Sequence, residues 1–209
     1  MKKTQFFLIT ALSLACGIAF ASNAIVPQKK PAAFYTGIQL GYGNTHYTTT
    51  KTINALSGYP IGSVDSSGLA GRFYVGYDFN KYFAIEGGMT LLPRVKFHDV
   101  IAPAGVSDIN FRQSAFDLLA KATLPLPNNF GIYGKAGIAS VFRNGFEGSR
   151  DGQVTDLSGN YNNTVPVVGV GANYGFNDHV LADVSLMHYC GTGDLQPTDF
   201  IGVGVVYRF

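Results

Sequence analysis

The sequence predicts an all-β protein, an eight-stranded antiparallel up-and-down transmembrane β-barrel with short turns at one end and four longer loops at the other. Three observations carry that expectation. Apolar and small or polar residues alternate strictly in eight separate stretches, the period of a strand with two unlike faces. The connections between them alternate short and long. Charged residues make up only 13% of the 209 positions, about half the share in an ordinary soluble domain.

Residues 1–21 are read as a removable signal segment. Lys2 and Lys3 precede a mostly apolar run from Phe6 to Phe20, which is shorter than the ~20 residues a spanning helix needs. Ala19-Phe20-Ala21 fits the small-x-small cleavage pattern. Residues 22–32 form a short connecting segment, and 33–209 the barrel. Without Lys2 and Lys3, 13 basic residues face 13 acidic ones, so no basic stripe remains and no nucleic-acid partner is expected. Cys190 is left as the single cysteine. No Cys/His cluster has metal-ligand spacing, and no metal or cofactor is expected.

The first strand, Pro31 to Thr45, places Phe34, Thr36, Ile38, Leu40 and Tyr42 on one face and Tyr35, Gly37, Gln39, Gly41 and Gly43 on the other. The second runs over 68–79, with Phe73, Val75 and Tyr77 opposite Arg72, Tyr74 and Gly76. A tight turn at Asn80-Lys81 leads to the third, 82–92, where Ile85 and Met89 oppose Ala84, Glu86 and Gly88. The fourth, 109–124, sets Phe116, Leu118 and Ala120 against Asp117, Leu119 and Lys121. Pro125 to Asn129 forms a turn. The fifth, 130–142, sets Ile132 and Ile138 against Tyr133, Lys135 and Gly137. The sixth, 164–176, sets Val168 and Val170 against Val167, Gly169 and Gly171. Asn177-Asp178 turns into the seventh, 179–189, where Val184 and Leu186 oppose Asp183 and Ser185. The eighth, 199–209, sets Ile201, Val203, Val205, Tyr207 and Phe209 against Gly202, Gly204, Val206 and Arg208. The long connections, 44–67, 93–108, 143–163 and 190–198, all fall at one end. Outer-membrane barrels have this asymmetry, with short periplasmic turns and longer extracellular loops.

Alternation alone does not say which face meets water, because a soluble eight-stranded barrel has the same pattern turned inside out. Charge supply decides. The polar face of each strand carries at most two charges, and the rest is mainly Gly, Ala, Ser, Asn and Tyr. Such a face fills a narrow lumen and cannot coat an exterior in water. The apolar face is therefore assigned to lipid, with aromatics near the strand ends as interfacial girdles.

Six charged residues have lumen parity: Arg72, Glu86, Asp117, Lys121, Lys135 and Asp183. Charges in so narrow a space must be paired or wetted, so this set is the candidate plug or gate. A low-conductance, porin-like ion path through it is the alternative to a structural plug. His188, Cys190 and Asp199 share outward parity at the loop end. A nucleophile, base and orienting acid there would suit lipid-ester hydrolysis. Gly169-x-Gly171 lies inside a strand with no following helix and is not a dinucleotide site. The long polar loops are candidates for contacts with host or cell surfaces.

The segments FYTGIQLGY (Phe34 to Tyr42), GYDFNKYFAIEGGM (Gly76 to Met89), LLAKATLPL, GIYGKAGIASVFR, PVVGVGANYGF and GVGVVYRF resemble, in order, the N-terminal transmembrane domain of the outer membrane protein A family. The resemblance implies an outer-membrane structural and surface-antigen protein without catalysis. It further implies lipid and lipopolysaccharide as surroundings, and recognition by the barrel-assembly machinery through Tyr207 and Phe209. It places Glu86, Lys121 and Lys135 in a lumenal charge network. Two departures stand out. The chain stops at Phe209, without the periplasmic peptidoglycan-binding domain. Asn173 and Asp183 stand where an acid and a base are expected. Met187 to Asp194, MHYCGTGD, is similar to the His-x-Ser segment of lipid A deacylases, with Cys190 in place of the serine.

Overall fold

In the computed structural model, residues 32–46, 63–102, 105–111, 113–143, 146–150, 153–157, 161–192 and 195–209 are described. The expected signal segment 1–21, nearly all of 22–32 and residues 47–62 of the first loop lie outside them.

Eight strands close a barrel. They are β1 Ala33–Thr45, β2 Ser67–Asp78, β3 Phe83–Leu91, β4 Gln113–Pro125, β5 Phe130–Arg143, β6 Tyr161–Gly175, β7 Val180–Tyr189 and β8 Thr198–Arg208. Each pairs antiparallel with its neighbours in sequence, and β8 returns to β1 with Thr36 opposite Tyr207 and Tyr42 opposite Ile201. Closure leaves no edge in the barrel wall, as a backbone surrounded by hydrocarbon requires. The faces are those the alternation predicts. Phe34, Ile38, Leu40, Phe73, Val75, Leu118, Ile138, Val170, Val184, Val203 and Val205 all point outward and are exposed, whereas Tyr35, Gln39, Arg72, Tyr74, Glu86, Lys135 and Asp183 are buried.

Two of the periplasmic turns are longer than the two residues expected of them, Asn80-Lys81 and Asn177-Asp178. Between β2 and β3, and between β6 and β7, four residues connect the strands. The extra length is stabilised by an asparagine side chain standing in for backbone. Asn80 Oδ1 accepts from the N–H groups of Tyr82 (2.8 Å) and Phe83 (2.9 Å). Asn177 Oδ1 accepts likewise from His179 (2.9 Å) and Val180 (2.7 Å). In the third turn, Asn128 and Asn129 adopt φ of 61° and 62°, the left-handed region that asparagine tolerates better than other non-glycine residues.

The loops also differ from the sequence reading. Ser63–Asp65, Val95–Ala102, Gly105–Phe111, Phe146–Arg150 and Gln153–Leu157 form a second, five-stranded sheet. Residues 109–111 therefore belong to the loop hairpin paired with Val95–Ala102, and not to the start of β4. The alternation in Val95 to Ala102 is broken by a bulge between Phe97 and Val100, which hid the strand from a period-two reading.

Among the described residues, aromatics cluster more at the short-turn end than at the loop end. Phe34–Tyr77, Tyr77–Phe79, Phe130–Tyr174, Tyr174–Phe176 and Tyr207–Phe209 pack with ring centroids 4.7–5.3 Å apart. At the loop end, Phe116–Phe142 at 5.6 Å is such a pair.

The interior is layered. Towards the turns lies a cluster of Tyr35, Tyr74, Ala84, Leu181 and Val206. Towards the loops lies a larger one that includes Leu119, Val165, Val167, Met187, Tyr189, Leu195 and Phe200. Charged groups lie at and between the two.

Candidate functional site

The structure brings the six lumenal charges expected from sequence into the barrel interior, all buried. Arg72 on β2 is the hub. Its guanidinium forks onto Asp117 of β4, with Nη2 2.8 Å from Oδ1 and Nη1 on Oδ2. Nη2 also donates to Glu86 of β3 at 3.1 Å, and Nη1 donates to Thr90 at 3.0 Å. Glu86 accepts in addition from Lys135 of β5 at 2.6 Å and from the Tyr35 hydroxyl at 3.1 Å. One planar fork thus ties together three strands, a use for which arginine is suited and lysine is not.

Asp183 is held differently. Neutral donors surround it: Gln39 Nε2 at 2.6 Å, Tyr133 Oη at 2.7 Å and Tyr74 Oη at 2.9 Å. Lys121 lies over the rings of Tyr133 (4.4 Å to the centroid) and Tyr35 (5.0 Å). Lys135 lies over Tyr74 and Tyr133 at 4.8 and 4.9 Å. The three acids and three bases do not form three pairs. Tyrosine rings supply part of the cation stabilisation and tyrosine hydroxyls part of the anion stabilisation. Sequence reading missed these tyrosines as members of the network. Their lumen parity was the available signal.

Glycine makes the room. Tyr74 lies opposite Gly37, Tyr35 opposite Gly76 and Tyr133 opposite Gly171. A Cβ at Gly37 would come within 2.6 Å of the Tyr74 hydroxyl and 2.7 Å of its ring. Gly88 gives Arg72 its space, since a Cβ there would lie 2.5 Å from Nη2 and 2.8 Å from Cζ. Replacing Gly37 by Val is expected to push Tyr74 off Asp183. The expected cost is about 1–3 kcal/mol of stability from overpacking, read as a lowered urea midpoint of the refolded barrel. An unchanged midpoint would mean that the ring is not wedged there.

A second polar group sits outside, at the loop end. Asp199 of β8 accepts from His188 of β7 (Nδ1, 2.5 Å) and from His46 just past β1 (Nε2, 2.7 Å). His188 and Asp199, paired in the sequence reading, do meet. His46 joins them because β1 and β8 close the barrel. Cys190 is a half-buried free thiol, and its backbone N–H donates to Pro166. At the other end Arg208 of β8 pairs with Asp78 of β2 at 2.9 Å, an ion pair not foreseen. Among the described residues no His/Cys/Asp/Glu group is arranged to hold a metal.

A closed eight-stranded wall, greasy outside and filled inside with buried charges held by one another and by tyrosines, defines an integral β-barrel of the outer-membrane class. The chain belongs to the outer membrane protein beta-barrel domain family, which it matches over residues 7–209, and its location is the bacterial outer membrane. It is 30% identical to outer membrane protein A of Yersinia pseudotuberculosis across all of its own length and 56% of that protein's. The chain therefore spans a little over half of that relative. Among solved structures it is similar to Neisserial surface protein A, with a TM-score of 0.59 at 15% identity, covering 86% of this chain and 100% of that one. It is also similar to Ail, the attachment invasion locus protein of Yersinia pestis, solved in complex with the heparin analogue sucrose octasulfate. There the TM-score is 0.50 at 15% identity, covering 84% of this chain and 99% of that one. At these identities the likeness to the two structures is one of fold.

Proposed function

We propose that this protein is a structural barrel whose loop sheet makes contacts at the cell surface, and that it performs no catalysis. One observation carries the reading. The lumen is packed with buried side chains joined in one hydrogen-bonded network around Arg72, Glu86 and Asp183, while the chain at the opposite end from the turns is organised into a sheet of its own. A filled barrel is a poor conduit and a rigid mount, and loops on rigid mounts commonly carry recognition. The likeness in fold to Ail, solved with a heparin analogue, adds support for contacts with host or cell-surface ligands. In this reading Arg72, Glu86, Asp117, Lys121, Lys135 and Asp183 form a structural plug. Residues 1–21 direct export, and Tyr207 and Phe209 present the C-terminal strand to the assembly machinery.

The test compares bacteria displaying the full chain with bacteria displaying a variant in which 146–157 is replaced by a short Gly-Ser linker. Adhesion to cultured epithelial cells and to heparin-coated beads should fall in the variant, while the heat-modifiable band of the folded barrel persists. Adhesion equal to that of the full chain would refute the surface-contact reading. A lipid A mass spectrum should be the same with and without expression, and loss of an acyl chain would refute the non-catalytic reading.

A further inference from the structure

The lipid-facing wall holds its ionisable side chains at one spot. In the outward rows of the eight strands, tyrosine apart, they are His188 of β7 and Asp199 of β8, and His46 continues the β1 row one residue past its end. Elsewhere that face is apolar, small or neutral. The three meet because β7, β8 and β1 are neighbours. Asp199 lies opposite His188 on one side and opposite Asn44 on the other. His188 and Asp199 are half-buried and His46 is exposed, so the group is open to its surroundings. Its depth follows from the strand register. The Asn44–Asp199 pair lies two residues beyond the Tyr42–Ile201 pair, about 5 Å further out for a strand rising ~3.3 Å per residue at a tilt of ~40°. Tyr42 belongs to the aromatic row at the edge of the hydrocarbon. The trio therefore lies at the level of the outer-leaflet headgroups.

The shared carboxylate fixes what the two rings offer. Nδ1 of His188 and Nε2 of His46 face its two oxygens at 2.5 and 2.7 Å. An ionised carboxylate only accepts hydrogen bonds, so each of these nitrogens carries a hydrogen. The outer nitrogens, Nε2 of His188 and Nδ1 of His46, have no partner among the described residues. In neutral rings they are bare acceptors. In protonated rings both become donors, and two imidazolium charges against one carboxylate leave the trio positive. The strands packed against it add no charge from their outward faces. β6 presents Pro166 and Val168, β1 Tyr42 and Asn44, β2 Ser67 and Leu69, and β8 Ile201. The nearby titratable side chains beyond the strand ends are the half-buried Cys190 thiol and the exposed Asp65 just ahead of β2. Among the described residues, the ion pairs of both rings are with Asp199.

We propose that His46, Asp199 and His188 form an acid-dependent binding site for the phosphate of an outer-leaflet glycolipid. Imidazole changes charge between about pH 5 and 8. Above that range the outer nitrogens meet phosphate oxygens lone pair to lone pair. Below it they donate two charge-assisted hydrogen bonds. Asp199 occupies the inner N–H groups and holds both rings in place, so the outer ones are left for the ligand. The site opens sideways from the wall at headgroup depth, where lipid phosphate is concentrated, which favours a lipid over a free anion.

Native mass spectrometry of the full chain, refolded in a non-ionic detergent with lipid A added, tests this at about pH 5.5 and about pH 8, within and above the imidazole range. Wild type should bind lipid A at least about fivefold more tightly at the lower pH, the low end of ordinary coupling between two ligands, here proton and phosphate. The sign is diagnostic, because a phosphate monoester itself loses charge below its second pKa of about 6. His46→Gln/His188→Gln should abolish the acid preference. His46→Gln alone changes a residue past the strand end and should reduce the preference; it serves if the double variant lacks the heat-modifiable shift of a folded barrel. Dephosphorylated lipid A should show no acid preference, and excess inorganic phosphate should leave lipid A bound. Equal affinity at the two pH values, an undiminished preference in the variants or without the lipid phosphate, or displacement of lipid A by inorganic phosphate would each overturn the proposal. The adhesion test alters 146–157 and neither ring, so the surface-contact reading fails separately.

Discussion

Arg72→Met is expected to cost the barrel about 3–5 kcal/mol, the penalty for removing one partner of a buried ion pair. The loss falls unevenly. Glu86 keeps Lys135 and the Tyr35 hydroxyl. Asp117 is left with the Tyr189 hydroxyl at 3.5 Å, which is too long to replace a bidentate guanidinium. A buried carboxylate in that position is the source of the cost, not the lost attraction as such. The double variant Arg72→Met/Asp117→Leu should therefore recover most of the stability, because the burdened group is gone. Urea unfolding of the vesicle-refolded barrel, followed by the heat-modifiable gel shift, measures both. The chain has no tryptophan, so optical detection relies on tyrosine. An unchanged midpoint in the single variant would show that Arg72 does not carry the network.

The second large effect concerns the other face of the same wall. Ile38→Arg should destabilise by ~2–4 kcal/mol, and Asn44→Arg by ~0–1 kcal/mol, because the cost of a lipid-facing charge depends on depth. Ile38 lies between Val205 and Phe73 on its neighbouring strands, midway along the outward row from Phe34 to Tyr42. Asn44 lies beyond that row, beside Asp199. Equal costs at the two sites would contradict immersion of the apolar face in hydrocarbon.

Much of this was legible in the residues. Alternation is a local property, so the side of the wall on which Ile38 or Arg72 falls follows from parity once the strand is recognised. The short and long connections put all the loops at one end, and the scarcity of charge turned the greasy face to lipid. The six lumenal charges were found by the same parity. Where local regularity failed, so did the reading. A bulge masked the loop strand Val95–Ala102, and the turns at Asn80 and Asn177 gained two residues because an Asx side chain can replace a backbone partner.

What parity could not supply was partnership. Arg72 meets Glu86 and Asp117 from 14 and 45 positions away, and Asp183 meets Gln39 from 144. Only the pairing registers and closure of β8 onto β1 bring such residues to one depth. The same closure delivered His46 to Asp199. The chain by itself determined strands, faces and the membrane around them, because period and charge content act over a few neighbouring residues. The tertiary structure decided who pairs with whom inside, because stagger around a closed ring is a property of all eight strands at once.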